Sequence, residues 1–182
     1  GGSLNVVRSF SAGAGTQTAA LAIGTGSSPY AVTEAYNGTN WTAVNALNTG
    51  RYALAAGGTQ TAALAFGGQT PTKVANTETW NGTNWTEVND LNTARSLLAG
   101  AGNGTTTAGL AFGGTTGSVT AVTESWNGTN WTEVNDLNTA RPRLAGVGTQ
   151  TSALAFGGSP PNTAITELWN GTNWTEVADL GT

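Results

Sequence analysis

The chain contains no histidine, no cysteine and no methionine, and lysine occurs once, at Lys73. Without histidine or cysteine there is no Ser-His-Asp triad, no thiol nucleophile and no ordinary zinc, copper or haem site. Disulfides are excluded too, so the redox compartment is left open. Charged residues make up 9% of the 182 positions, against roughly 25% in an average soluble domain. A net charge of −4 built from so few groups gives no basic footprint for nucleic acid. Apolar runs are short as well, and none approaches the roughly 20 residues that span a bilayer. What the chain does hold is 27 Gly, seven Trp, 33 Thr and 18 Asn. Seven Trp with a steady supply of Leu, Val and Ala argue for a packed core rather than disorder.

Internal repetition is the dominant signal. Trp80 to Arg95 reads WNGTNWTEVNDLNTAR, and Trp126 to Arg141 repeats it without a change. Looser copies start at Tyr36 and Trp169. The upstream glutamates Glu34, Glu78, Glu124 and Glu167 step by 44, 46 and 43 residues. Four units of that length account for nearly the whole chain, with boundaries near 4–47, 48–91, 92–137 and 138–182; Gly1-Gly2-Ser3 reads as a tag remnant.

Each unit divides into four strand-like runs bounded by turn signals. In the third these are Ser96–Ala101, Thr107–Phe112, Ala121–Trp126 and Trp131–Asn135. The Asn-Gly-Thr-Asn between the last two runs marks a hairpin, since Asn and Gly both tolerate positive φ. The expectation is therefore an all-β fold of four-stranded antiparallel meanders. In Ala153-Leu154-Ala155-Phe156 alternate residues face opposite sides. One face of each sheet is bulky and the other small, so one unit's bulky face can stack on the next unit's small face.

A period near 44 with four strands per unit resembles a β-propeller, and the motifs resemble the kelch type. Kelch repeats carry Gly-Gly after the second strand, an aromatic in the third and Trp in the fourth. Here those are Gly67-Gly68, Trp80 and Trp85; Gly113-Gly114, Trp126 and Trp131; Gly157-Gly158, Trp169 and Trp174. The first unit departs, with Gly24-Thr25, Tyr36 and Trp41. The near-identical copies rich in Thr, Asn and Gly look most like kelch-like repeat proteins of marine bacteriophages and bacteria. Kelch propellers usually close with six or seven blades, and this chain encodes four. Two chains can join head to tail into an eight-bladed ring, one chain can close by itself, or the four blades can belong to a longer array. The homodimer is the favoured expectation, because Ala- and Gly-rich facing strands suit the shallow angle of about 45° between blades of an eight-fold ring.

The resemblance places an Arg before each first strand, at Arg8, Arg51, Arg95 and Arg141. Such a residue can hold a carboxylate ligand bidentately, or pair with a blade acid such as Glu87 or Glu133 to order the turn. The two residues after each Arg read Ser9-Phe10, Tyr52-Ala53, Ser96-Leu97 and Pro142-Arg143. They vary while their surroundings barely change, which suggests an exposed rim free of packing demands. Phe10, Tyr52, Leu97 and Arg143, with the four Arg, are the candidate ligand-binding residues; drift is the competing account. The loops 25–31, 69–76, 115–120 and 159–163 also vary, as binding loops on a rigid scaffold do and as neutral loops do too. Overlapping glycosylation sequons, as at Asn81 and Asn84, are equally explained by turn chemistry. The repeating acids do not form the paired carboxylates that glycoside hydrolysis needs. No catalytic residue, metal or cofactor is expected. The functional expectation is a non-catalytic structural or recognition module, virion- or surface-associated, that binds a glycan or protein through one ring face. A pure scaffold, natural or engineered, is the alternative, and an enzyme the weakest.

Overall fold

Each repeat unit folds as a separate antiparallel sheet whose four strands follow one another in chain order. The first blade holds β1 (Ala12–Thr16), β2 (Ala19–Ile23), β3 (Thr33–Tyr36) and β4 (Trp41–Val44). The second holds β5 (Ala55–Gly58), β6 (Ala63–Phe66), β7 (Thr77–Trp80) and β8 (Trp85–Val88). The third holds β9 (Ala99–Ala101), β10 (Gly109–Phe112), β11 (Thr123–Trp126) and β12 (Trp131–Val134). The fourth holds β13 (Ala145–Thr149), β14 (Ser152–Phe156), β15 (Thr166–Trp169) and β16 (Trp174–Val177). This is an all-β, four-bladed β-propeller, with the first strands β1, β5, β9 and β13 innermost. It is a computed structural model and describes residues 2–28, 30–102 and 105–181. Gly1 of the N-terminal stretch, Pro29 of the first variable loop and Thr182 lie outside the described residues. The strands are shorter than the sequence runs by one to three residues, because the rim and loop ends leave the ladder.

The bulky and small faces pack as the alternation requires. Leu21 and Ile23 of the first blade share a core with Ala63, Ala65, Trp80 and Trp85 of the second. Leu64 and Phe66 share the next with Ala111, Trp126 and Trp131, and Leu110 and Phe112 the third with Ala153, Ala155, Trp169 and Trp174. In the second, third and fourth blades the fourth-strand indole donates across the joint to a threonine hydroxyl of the preceding blade, as Trp131 Nε1 does to Thr77 Oγ1 at 3.0 Å. Asn89 Nδ2 of one blade likewise donates to the Thr129 carbonyl in the hairpin of the next, at 3.0 Å.

The hairpin itself differs from expectation. Gly38, Gly82, Gly128 and Gly171 are left-handed, with φ of 90–93°, but the preceding Asn is not. The loop has four residues, from Trp80 to its partner Trp85. Asn81 works through its side chain, whose Oδ1 accepts from Thr83 N–H and Asn84 N–H at 2.9 and 2.8 Å. That local side-chain bond is what Asn offers a turn when φ stays negative.

Each blade's outermost strand has one unpaired edge. Three of them carry an exposed glutamate, Glu87, Glu133 and Glu176, whereas the first carries Ala43.

Candidate ligand-binding rim

Arg8, Arg51, Arg95 and Arg141 lie inside the protein, not on a ligand surface. Their side chains are at most 3% exposed and pair with Glu34, Glu78, Glu124 and Glu167 of the same blade's third strand. Arg8 Nη2 stands 2.7 Å from Glu34 Oε1 and Arg95 Nη1 2.5 Å from Glu124 Oε1. The partner is thus the third-strand acid and not Glu87 or Glu133; Glu87 Oε1 instead accepts from Asn76 Nδ2. Most of the remaining capacity is spent on the fold, although the buried Nε of Arg95 and of Arg141 has no partner among the described residues. Glu124 Oε2 accepts from the backbone and side-chain N–H groups of Asn92 at 2.7 and 2.8 Å, and Arg8 Nη1 donates to the carbonyls of Gly24 and Val32. Each pair fastens the inter-blade loop to its sheet. Burial pushes the Glu34 carboxyl up, but donation from Arg8, Asn5 and Val6 outweighs it and leaves the group below its ordinary value. Burial also lowers the Arg95 guanidinium, against the opposing pull of Glu124.

The second residue after each Arg is where the structure departs from ordinary backbone. Phe10, Ala53, Leu97 and Arg143 have φ of 53°, 52°, 55° and 56°. Among the described residues they are the only non-glycine positions with positive φ, and they occupy the same place in four blades. A left-handed conformation costs an L-residue roughly 1–2 kcal/mol. What holds it is a chain of backbone bonds from blade to blade. Ala53 N–H donates to the Phe10 carbonyl (2.8 Å), Leu97 N–H to the Ala53 carbonyl (2.8 Å) and Arg143 N–H to the Leu97 carbonyl (2.9 Å).

These four residues converge on one face. With Leu54, Leu98 and Leu144 they line a shallow depression of about 300 Å³. Phe10 is 56% exposed, Arg143 is exposed, Leu97 half-buried and Ala53 buried. Tyr52, one place earlier, is half-buried and sits beside Phe10 with ring centres 6.3 Å apart. It also stacks on Tyr30 at 5.9 Å, with 29° between the planes. Its hydroxyl accepts from Gln69 Nε2 at 2.6 Å, which fixes the ring. Three aromatics thus stand together at the joint of the first two blades, with a cation on the fourth. Tyr30 was not singled out by the sequence; its only signal was membership of the variable loop 25–31.

These features define the protein's class, a β-propeller with a strained, side-chain-bearing rim. No family model matches the chain, and no curated protein matches it.

Proposed function

We propose that the chain is a kelch-type propeller acting as a non-catalytic recognition module, whose rim at Phe10, Tyr52, Leu97 and Arg143 binds a glycan or protein partner. One observation carries the reading. The chain uses 27 glycines and places one at every other left-handed position described, yet none of the four rim positions is glycine. Glycine there would relieve the strain, so side chains are kept at the backbone's expense. Strained residues of this kind cluster where a ligand is held, and Phe, Tyr and Arg are suited to such contacts. A scaffold without a ligand has no use for that cost. A non-catalytic role is supported by the third-strand carboxylates, each engaged by an Arg and an Asn.

The test is a glycan array probed in parallel with a pull-down from cell extract, using the chain and its Phe10→Ala/Tyr52→Ala/Arg143→Ala variant. Binding by the chain that disappears in the variant supports the rim. Binding retained by the variant refutes it, and no binding to either probe leaves the scaffold reading.

A further inference from the structure

Three inter-blade joints are made by one recurring set of contacts, and the chain ends in the two halves of a fourth. The bulky face of the fourth blade is uncovered: Leu154 and Phe156 are half-buried where Leu110 and Phe112 are fully buried, and Leu168 is 40% exposed. The small face of the first blade is uncovered as well. Gly13, Ala20, Ala22 and Trp41 line a hollow of about 460 Å³ to which no described residue of the fourth blade contributes.

The apolar faces of the two halves match at the inner strand. Where the preceding blade offers Phe, the facing inner strand offers Gly. A carbon on Gly100 would lie 2.6 Å from the Phe66 ring and one on Gly146 2.5 Å from the Phe112 ring. Where it offers the smaller Ile23, the strand has Ala56. The uncovered ends hold Phe156 and Gly13, so the rule is kept. A carbon on Gly13 would meet nothing closer than its own blade's Leu21 carbonyl, at 3.6 Å.

Polar groups repeat the pattern. Trp85, Trp131 and Trp174 each donate to Thr33, Thr77 and Thr123 of the blade before; the first blade's Trp41 and the fourth blade's Thr166 are the pair without this bond. Gln60 and Gln150 each donate to a backbone carbonyl of the preceding blade, at Tyr36 and Trp126; Gln17 holds their place in the first blade and is exposed. The rim chain of backbone bonds likewise begins at Phe10 and stops at Arg143.

We infer that a second copy of this chain joins head to tail, with Phe156 seated on the other copy's Gly13, to close an eight-bladed ring. A heterologous contact either closes a ring or runs on as a filament, and two copies are the smallest closure open to ends that do not meet within one chain. The joint departs from the internal ones at two places. Ala178 stands where Asn45, Asn89 and Asn135 reach the next hairpin, and Gly2 N–H already donates to the Thr39 carbonyl such an Asn would use. Leu4 and Leu180 both hold the repeat place of Leu47, so the joint takes one of them. The inference stands independently of the rim reading.

Sedimentation velocity on the 182-residue chain at micromolar concentration tests it. The expected mass is twice 18.2 kDa. Gly13→Phe fills the first blade's hollow and is expected to sediment as one copy with its far-ultraviolet circular dichroism unchanged. Gln17→Ala, at an exposed position that cannot compromise folding, is expected to raise the dissociation constant at least about fivefold, one hydrogen bond being lost at each of two joints. A wild-type chain running as a single copy or as an open-ended series overturns the inference. So does a two-copy mass for folded Gly13→Phe, or a Gln17→Ala constant within twofold of wild type.

Discussion

The ring of Phe112 rests on the bare backbone of Gly146, with no room between them for a methyl group: a carbon added there would lie 2.5 Å from the ring edge. Gly146 has no positive φ to relieve, so its requirement is one of space. Gly146→Ala is expected to cost about 1–3 kcal/mol, the usual effect of overpacking. Adding Phe112→Ile should recover part of that loss, because Ile and Ala already meet at Ile23 and Ala56. Urea unfolding of the single and double variants at one protein concentration measures both effects.

Arg95 and Glu124 illustrate a different dependence. Removing Arg95 leaves the buried Glu124 carboxylate without its counter-charge, held only by the neutral N–H donors of Asn92 and Thr93. Arg95→Met is expected to destabilise by about 3–5 kcal/mol, seen as a large fall in thermal midpoint. Arg143→Ala, at the exposed rim, should stay within about 1 kcal/mol of wild type by the same assay.

The rim strain can be measured directly. Arg143 has φ 56° and is exposed, so little packing is lost when it is replaced. Arg143→Gly is expected to raise stability by up to about 1 kcal/mol, the left-handed penalty less the entropy that glycine loses on folding. Arg143→Val should lower it by about 1–2 kcal/mol, since branching at Cβ aggravates the same conformation. Equal midpoints for glycine and valine in urea would sink the idea that this position is strained.

Acid should loosen the loop before the first blade. The Glu34 carboxyl lies below its ordinary value of 4.5 in the folded protein. A depressed carboxyl contributes stability that is complete above the unfolded value and is lost as pH falls through the folded one. Stability is therefore expected to hold from neutral down to about pH 4.5 and to fall below that. Glu34→Gln should begin less stable, with Arg8 unpaired, and lose less on further acidification. Denaturant midpoints at a series of pH values show whether the two curves converge.

The strands, blades and face pairing were legible because repetition writes each element four times, and alternation in runs such as Ala63 to Phe66 fixes which face is which. The partner of the arginines was not. Glu78 and Glu87 lie directly opposite each other on neighbouring strands, and the sequence does not tell how far a side chain from the inner loop extends. One more strand spacing, about 4.8 Å, puts Glu87 beyond the place Glu78 takes. The rim was legible as variable side chains at 10, 53, 97 and 143, but not as left-handed backbone, because nothing in Phe, Ala, Leu or Arg signals positive φ. Tyr30 carries no such signal, because only folding brings it onto Tyr52.

The distribution of acid along the outer strands bears on how the protein fails. An outermost strand is a template for pairing with a foreign strand, and a charge upon it is the usual deterrent. Glu87, Glu133 and Glu176 guard three of the four edges, whereas Trp41 to Val44 has Ala43 at that place and Ala46 where its sister blades have Asp. Aggregation of partly unfolded chains should therefore nucleate at the first blade, through a neutral strand that already carries an incompletely covered tryptophan.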